Sequence, residues 1–489
     1  MTPQPKDNPV IPVEPRGYQA GPNNLAVLGP ARPDMPRTSD TTIAKGNAGR
    51  ILTDRFRCRP EDVADFRVAK DLSGDSGYFR FGADLICYGQ CSSGAPAQSA
   101  AEPLHDARQQ VVANGAALQL PFDPVQVVDN LRCERYLNGA LPTNRFFRNI
   151  YYLLRPLMPV SLRRPFQKLY FRTRNDAPFP TWPVDRTVED IFEQLLILSM
   201  QARQVDRLPF IWFWPQGSRS CTIVTHDVET SAGVDFCPKL MDLADGFGIK
   251  TSFQIVPEKR YSVSQAFLRS IQDRGFEINI HDLNHDGHLF RDLDQFLHRA
   301  DQINRYARDF GALGFRSAVM YRNIDWFSAL DVSYDMSIPN MARMDPQQGG
   351  CCTVFPFFVG QIVELPVTTT QDYSLFYILN DYSTQLWEQE IALIREKHGL
   401  LSFIIHPDYV VLEKHQRVYR DLLQRLAELR AQGETWIALP GEVAAWWRLR
   451  SKLNLVEAGN SLRIEGEGSE RATVAYAVLD DGKISYEFA

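Results

Sequence analysis

Titratable side chains gather at four points of the sequence, each where a run of core-type residues ends. Thr225-His226-Asp227-Val228-Glu229 closes the apolar run that starts at Cys221, and His281-Asp282-Leu283-Asn284-His285-Asp286-Gly287-His288 follows FEINI. Arg316 closes ALGFR, and His406-Pro407-Asp408 follows LLSFII. His281 and His285 are four residues apart, so one helical turn after the strand would set both imidazoles on one side. With a carboxylate from the 227–229 stretch they would form a facial triad that leaves positions open for water and substrate. That donor set points to hydrolysis at a metal. The bland reading of an isolated pair is a solvated helix face, and Asp227 with Glu229 alone would pass for a surface pair or a cap. Position inverts the weighting, because the histidine pair directly follows a buried strand and another strand of the same array ends in the two acids.

The elements that must position these residues are legible from Cys221 onward. CTIVTHD, KTSFQIV, FEINIH, ALGFRS, QIVELPV and LLSFIIH read as buried strands, and amphipathic stretches such as DLDQFLHRADQINRYARDFG and EKHQRVYRDLLQRLAELRAQG read as helices between them. Repeated alternation implies a parallel sheet and favours a barrel, in which polar residues at the C-terminal strand ends converge on one mouth. Gly248, Gly275, Gly311, Gly399 and Gly433 stand where left-handed helix caps are needed.

Four of these stretches, in this order, resemble the motifs of the polysaccharide deacetylases of the NodB-like, carbohydrate esterase family 4 type. THDVE is similar to the first motif, commonly TFDD with DVD variants, and HDLNH to the second, His-Ser/Thr-x-x-His. GFRSAV resembles the third, Arg-x-Pro-aromatic, with Ala318 and Val319 in place of the Pro and the aromatic; SFIIH resembles the fifth, Leu/Ile-x-x-His. Together they span residues 220–449. The resemblance implies an α/β fold, a distorted (β/α)7-type barrel. It implies Asp227 as general base, His281 and His285 as ligands of a divalent metal, usually zinc, His406 as general acid and Arg316 as the residue that orients the base. Val228 occupies the position of the second Asp of TFDD, and the third residue of the DVD form points to Glu229 as the remaining ligand, with Asp227 as the alternative. Asp372, after QIVELPV, matches the acid that orients the acid histidine, with a plain turn role standing beside it. A backbone amide near Ala318 and Val319 would be a second oxyanion donor. The implied reaction is removal of an N-acetyl group from an amino sugar of a glycan or glycan precursor. Rivals are a related amidase or O-acetyl esterase on a non-sugar substrate, and a non-catalytic carbohydrate-binding relative.

The expected organisation is a disordered tail over 1–48, a small accessory domain over 49–140, a helical connecting segment over 141–215, the barrel over 216–450 and a β appendage over 451–489. The tail is dense in Pro and Gly and poor in large apolar residues. Residues 145–174 combine many Arg with Tyr, Phe and Leu, which leaves peripheral membrane contact open. Pro156, Pro159 and Pro165 break any long amphipathic helix there, which favours packing on the barrel. A net charge of -6 and the lack of a basic run exclude a nucleic-acid footprint. No apolar stretch of about 18 residues and no secretory pattern is seen, so a cytoplasmic location and a cytoplasmic sugar intermediate are expected. The eight cysteines form no CxxC pair and read as reduced thiols. Trp446 and Trp447 read as core. Oligomeric state is left open by the sequence.

Overall fold

Cys221–Val228 is buried at every position, as a strand must be when both faces of its parallel sheet are covered. The computed structural model describes residues 48–92, 96–137, 178–459 and 461–488. The tail expected before residue 48 and the arginine- and aromatic-rich stretch 145–174 lie outside the described residues. No helix of the described residues is long and apolar enough to cross a membrane.

In chain order the N-terminal part holds α1 (Ile51–Phe56), β1 (Asp65–Val68), β2 (Gly77–Arg80), β3 (Ile86–Gly89), β4 (Val112–Asn114), β5 (Ala117–Leu120) and α2 (Pro124–Arg132). Asp123 starts α2 by accepting from the Val125 and Gln126 amides at 2.9 and 3.3 Å, the task of a short acid at a helix start. Then come α3 (Thr187–Arg203) and β6 (Arg207–Ile211). The central strands are β7 (Cys221–Val228), β8 (Ser252–Ile255), β9 (Glu277–His281), β10 (Gly314–Arg316), β11 (Tyr334–Asp335), β12 (Phe357–Val359), β13 (Ile362–Glu364), β14 (Leu400–Ile404) and β15 (Trp436–Ile437). Between and after them run α4 (Ser231–Gly246), α5 (Gln265–Gln272), α6 (Leu293–Phe310), α7 (Gln385–Glu396), α8 (Glu413–Ala431) and α9 (Pro440–Arg450).

The sheet order is β12-β13-β11-β10-β9-β8-β7-β14, with β15 also on β7. Every pairing is parallel except that of β12 with β13. The sheet curls but does not close, so the expected distorted (β/α)7-type barrel is present as a curled, open half-barrel. The cause is local. Beside β14 the chain offers Thr368 and Thr369, whose hydroxyls donate to the Leu400 and Ser402 carbonyls at 2.7 Å each, in place of a backbone ladder. On the other side, antiparallel β12 caps the edge of β13.

Four of the five expected glycine caps have left-handed φ: 62° at Gly248, 73° at Gly275, 66° at Gly311 and 73° at Gly433. Gly399 does not. His398 takes the left-handed turn at φ 59°, and Gly399 is small because a Cβ there would fall 2.5 Å from Val354 Cγ2. The C-terminal residues pair β16 (Asn454–Ala458) with β17 (Ser461–Glu465), and β18 (Val474–Asp480) lies between β19 (Lys483–Phe488) and β6. The described residues form one compact unit, and its main core runs from Leu52 and Phe79 through Ile223 to Ala477, with a small separate cluster of Met320, Val367 and Ile404. Trp446 is buried in it and donates to the Phe213 carbonyl at 2.9 Å. None of the eight cysteines is in a disulfide.

Candidate metal centre

Alternation along β7 decides which of its last residues can do chemistry. Thr225 and Asp227 face one side, and Arg316 at the end of β10 reaches both: its Nη1 donates to Thr225 Oγ1 and to Asp227 Oδ1, each at 2.7 Å. Arg316 Nε donates to the Met336 carbonyl at 3.0 Å, so the guanidinium is held from two directions. His226 faces the other side, against Phe253 and Tyr419, with Nδ1 3.2 Å from the Ile405 carbonyl. Burial pushes its imidazole down to about 4. It is a neutral core histidine.

Glu229 lies just past the strand, where Thr230 turns the chain into α4 by accepting from the Gly233 amide at 3.1 Å. Its Oε1 is 2.8 Å from His285 Nε2, 3.5 Å from His281 Nε2 and 3.5 Å from His406 Nε2. His281 ends β9, and its Nδ1 meets the Arg316 carbonyl at 3.2 Å. A carbonyl only accepts, so Nδ1 carries the proton and the Nε2 lone pair points inward.

The expected helical turn between His281 and His285 is absent. Residues 282–287 form an irregular loop, in which Asp282 and His285 adopt φ of 57° and 55°. That path is pinned by Asp282 N donating to the Arg316 carbonyl at 2.8 Å and by Asp286, which takes the Arg299 fork at 2.8 and 2.7 Å. The left-handed residues still bring the rings to 4.9 Å between centroids. Strain of this kind at a cluster of polar groups is held by its surroundings. His288 is exposed.

Opposite, His406 follows β14. Asp372, fully buried, accepts from the His406 backbone amide at 2.7 Å and sits 2.7 Å from its Nδ1. Burial opposes a charge on this imidazole, but Asp372 outweighs it and raises the group well above its ordinary value. Burial likewise opposes a charge on Asp227, yet Arg316, His281 and His406 hold that carboxyl below its usual range. After Arg316 the chain makes a tight turn in which Val319 takes φ 59°, a costly conformation for a β-branched residue. Arg322, just beyond, is anchored by a buried two-pronged pair with Glu134, one contact being Nε to Oε2 at 2.7 Å.

All seven residues singled out in the sequence meet here. Asp227, Glu229, His281 and His285 cluster with Arg316 behind Asp227, while Asp372 stands behind His406. Tyr409 was not foreseen; its ring packs 4.6 Å from that of His406. The spacing His406-Pro407-Asp408-Tyr409 carried the signal, since one tight turn returns the aromatic to the histidine.

A metal fits this donor set. His281 Nε2 and His285 Nε2 are buried and make no hydrogen bond, although Glu229 Oε1 is close to both. Buried polar atoms in such a state call for a partner. These three ligand atoms lie within 4.8 Å of one another, and two imidazoles with one carboxylate suit a divalent transition metal. Asp227 Oδ2 is 3.8 Å from His281 Nε2, and its Oδ1 is engaged by Arg316.

No family model matches the chain, and no curated protein matches it. Similar solved structures include a protein of Mycobacterium smegmatis assigned as a polysaccharide deacetylase, 18% identical over 51% of this chain and 98% of that one, with a TM-score of 0.40. Puue allantoinase is 11% identical over 48% of this chain and 92% of its own, with a TM-score of 0.38. The peptidoglycan deacetylase PdaC of Bacillus subtilis is 10% identical over 47% and 93%, with a TM-score of 0.31.

Proposed function

We propose that the chain is a metal-dependent hydrolase that removes an N-acetyl group from an amino sugar of a glycan or glycan precursor. One observation carries this reading: the Nε2 atoms of His281 and His285, buried without a hydrogen bond, converge with Glu229 Oε1 between an Arg316-held acid and an Asp372-held histidine. These three residues would hold zinc or another divalent transition metal. Such an ion, when bound, lowers the pKa of water and polarises the acyl carbonyl.

The chain's own residues supply the proton traffic. Asp227 is kept ionised by Arg316, so its free Oδ2 accepts a proton from the attacking water. Arg316 fixes the direction of that oxygen by occupying the other one. His406 is kept charged by Asp372 and gives its proton to the departing amine, which leaves poorly as an anion. A backbone amide of the turn at Ala318 and Val319 is assigned, from the motif resemblance, the charge that develops on the carbonyl oxygen. The sugar rests on the motif resemblance, with Tyr409 as a stacking surface beside His406.

The test is acetate release from N-acetylated amino-sugar oligosaccharides, O-acetylated sugars and simple acetamides, each with wild type and Asp227→Asn. Release from the N-acetylated sugars alone, slowed about a hundredfold or more by Asp227→Asn, is the expected result. Release from the esters or simple amides favours the neighbouring hydrolase reading. A protein that binds these sugars, needs no metal and is indifferent to Asp227→Asn is a binding module, and the proposal fails.

A further inference from the structure

A cavity of about 230 Å³ lies between α1, α2, α3, β12 and α9, lined among others by Arg55, Arg132 and Arg450, by Asp54 and Asp129, and by Phe192, Phe357 and Trp447. No residue of the metal centre lines it. Arg55 is 7% exposed and Arg450 3%. Arg450 spends its donors on the carbonyls of Ile211, Trp212 and Arg55 at 2.7, 2.9 and 3.2 Å. Arg55 and Arg132 spend none. Among the described residues neither guanidinium makes a hydrogen bond or an ion pair, and Nε and Nη1 of Arg55 and Nε of Arg132 are buried without a partner.

A guanidinium carries five N–H donors, and leaving them dry is costly. The face of Arg55 is supported by Phe355, whose centroid is 3.7 Å from Cζ, but a ring face leaves the in-plane donors unused. The nearby acids do not answer them. Asp54 is largely exposed and lies 3.9 Å from Arg57, Asp129 lines the cavity without pairing, and Glu189 gives its oxygens to Thr353 Oγ1 and the Val354 amide. Burial pushes Arg55 down to about 10, so it stays charged at neutral pH. Two guanidinium groups without partners thus face a cavity whose wall also holds Asp54, Asp129 and Arg450, beside the apolar surface of Phe192, Phe357, Phe358 and Trp447.

We propose that this cavity is a second binding site, for a small organic oxyanion, a phosphate or carboxylate carried on an apolar body. Arg55 and Arg132 take the oxyanion through charge-assisted forks, and Phe192, Phe357 and Trp447 cover the body.

Calorimetric titration of the full chain with phenyl phosphate and with benzoate tests this, with phenol as the neutral control. The expected result is saturable binding of at least one of the two anions and none of phenol; which one binds identifies the oxyanion. Arg132→Met removes an unpaired charge, so the fold should be at least as stable, and affinity should fall about tenfold or more. Arg132→Lys keeps the charge but loses the fork, and should weaken binding several-fold. His285→Ala should leave the affinity unchanged. No saturable binding, equal affinity in the two Arg132 variants and wild type, or loss of binding in His285→Ala would each overturn the site.

Discussion

Replacing Arg316 by methionine strands a charge. Arg316 is fully buried and Asp227 is 4% exposed, so the carboxylate loses its 2.7 Å partner without gaining water. Breaking a buried pair from one side costs about 3–5 kcal/mol. Thr225 Oγ1 and the Met336 carbonyl lose their donor at the same time. Adding Asp227→Asn removes the stranded charge, so the double variant should be about 2 kcal/mol more stable than the sum of the two single losses. Urea unfolding of chelator-treated protein at pH 7 measures all four species with no metal contribution. Activity gives an independent readout: the double variant recovers stability and stays inactive, because the proton acceptor is gone. An Arg316→Met cost near 1 kcal/mol, or a coupling under about 0.5 kcal/mol, would refute the claim that Arg316 holds an ionised Asp227.

Other substitutions separate the remaining roles. Asp227→Asn should retain metal while slowing acetate release about 10²–10⁴-fold, read as kcat beside metal content; loss of metal with activity would make it a ligand. Asp372→Asn should keep metal and KM while lowering kcat roughly 10–1,000-fold, since His406 loses the charge that raises its proton affinity; an unchanged kcat returns Asp372 to a turn role. Glu390 is fully buried, and burial raises its carboxyl from 4.5 to about 8 despite hydrogen bonds from Thr370. Between those values the folded chain keeps a proton that the unfolded chain has released, so stability falls as pH rises. Glu390→Gln should therefore gain on wild type from pH 5 to pH 8, on the order of 3 kcal/mol, seen as a steady change in the gap between the two Tm values. A pH-independent gap contradicts the shift.

The long periodic elements were legible because burial imposes period: β7, β14, α6 and α8 stand where apolar spacing puts them. Chemistry was legible for a related reason. Parallel strands deliver their last residues to one end, so Asp227, His281, Arg316 and His406 declare themselves by position. Short pieces were not legible. Tyr334–Asp335 is a two-residue strand with no pattern to read, and the opening beside β14 depends on two threonine hydroxyls replacing a backbone ladder. The loop from Asp282 to Gly287 hides behind an i, i+4 spacing that a helix would also give, because two left-handed residues reach the same ring arrangement by another path. Arg55 and Arg132 are 77 positions apart, and only the fold brings them to one cavity.

The central claim is a metal held by Glu229, His281 and His285. Zinc content after equilibrium dialysis, with zinc-edge X-ray absorption on the loaded protein, tests it most directly. About one zinc per chain is expected, bound by two imidazole nitrogens and carboxylate oxygen, and lost in His281→Ala and in His285→Ala. A substoichiometric content, a shell containing sulfur, or full retention of zinc in both histidine variants would contradict it.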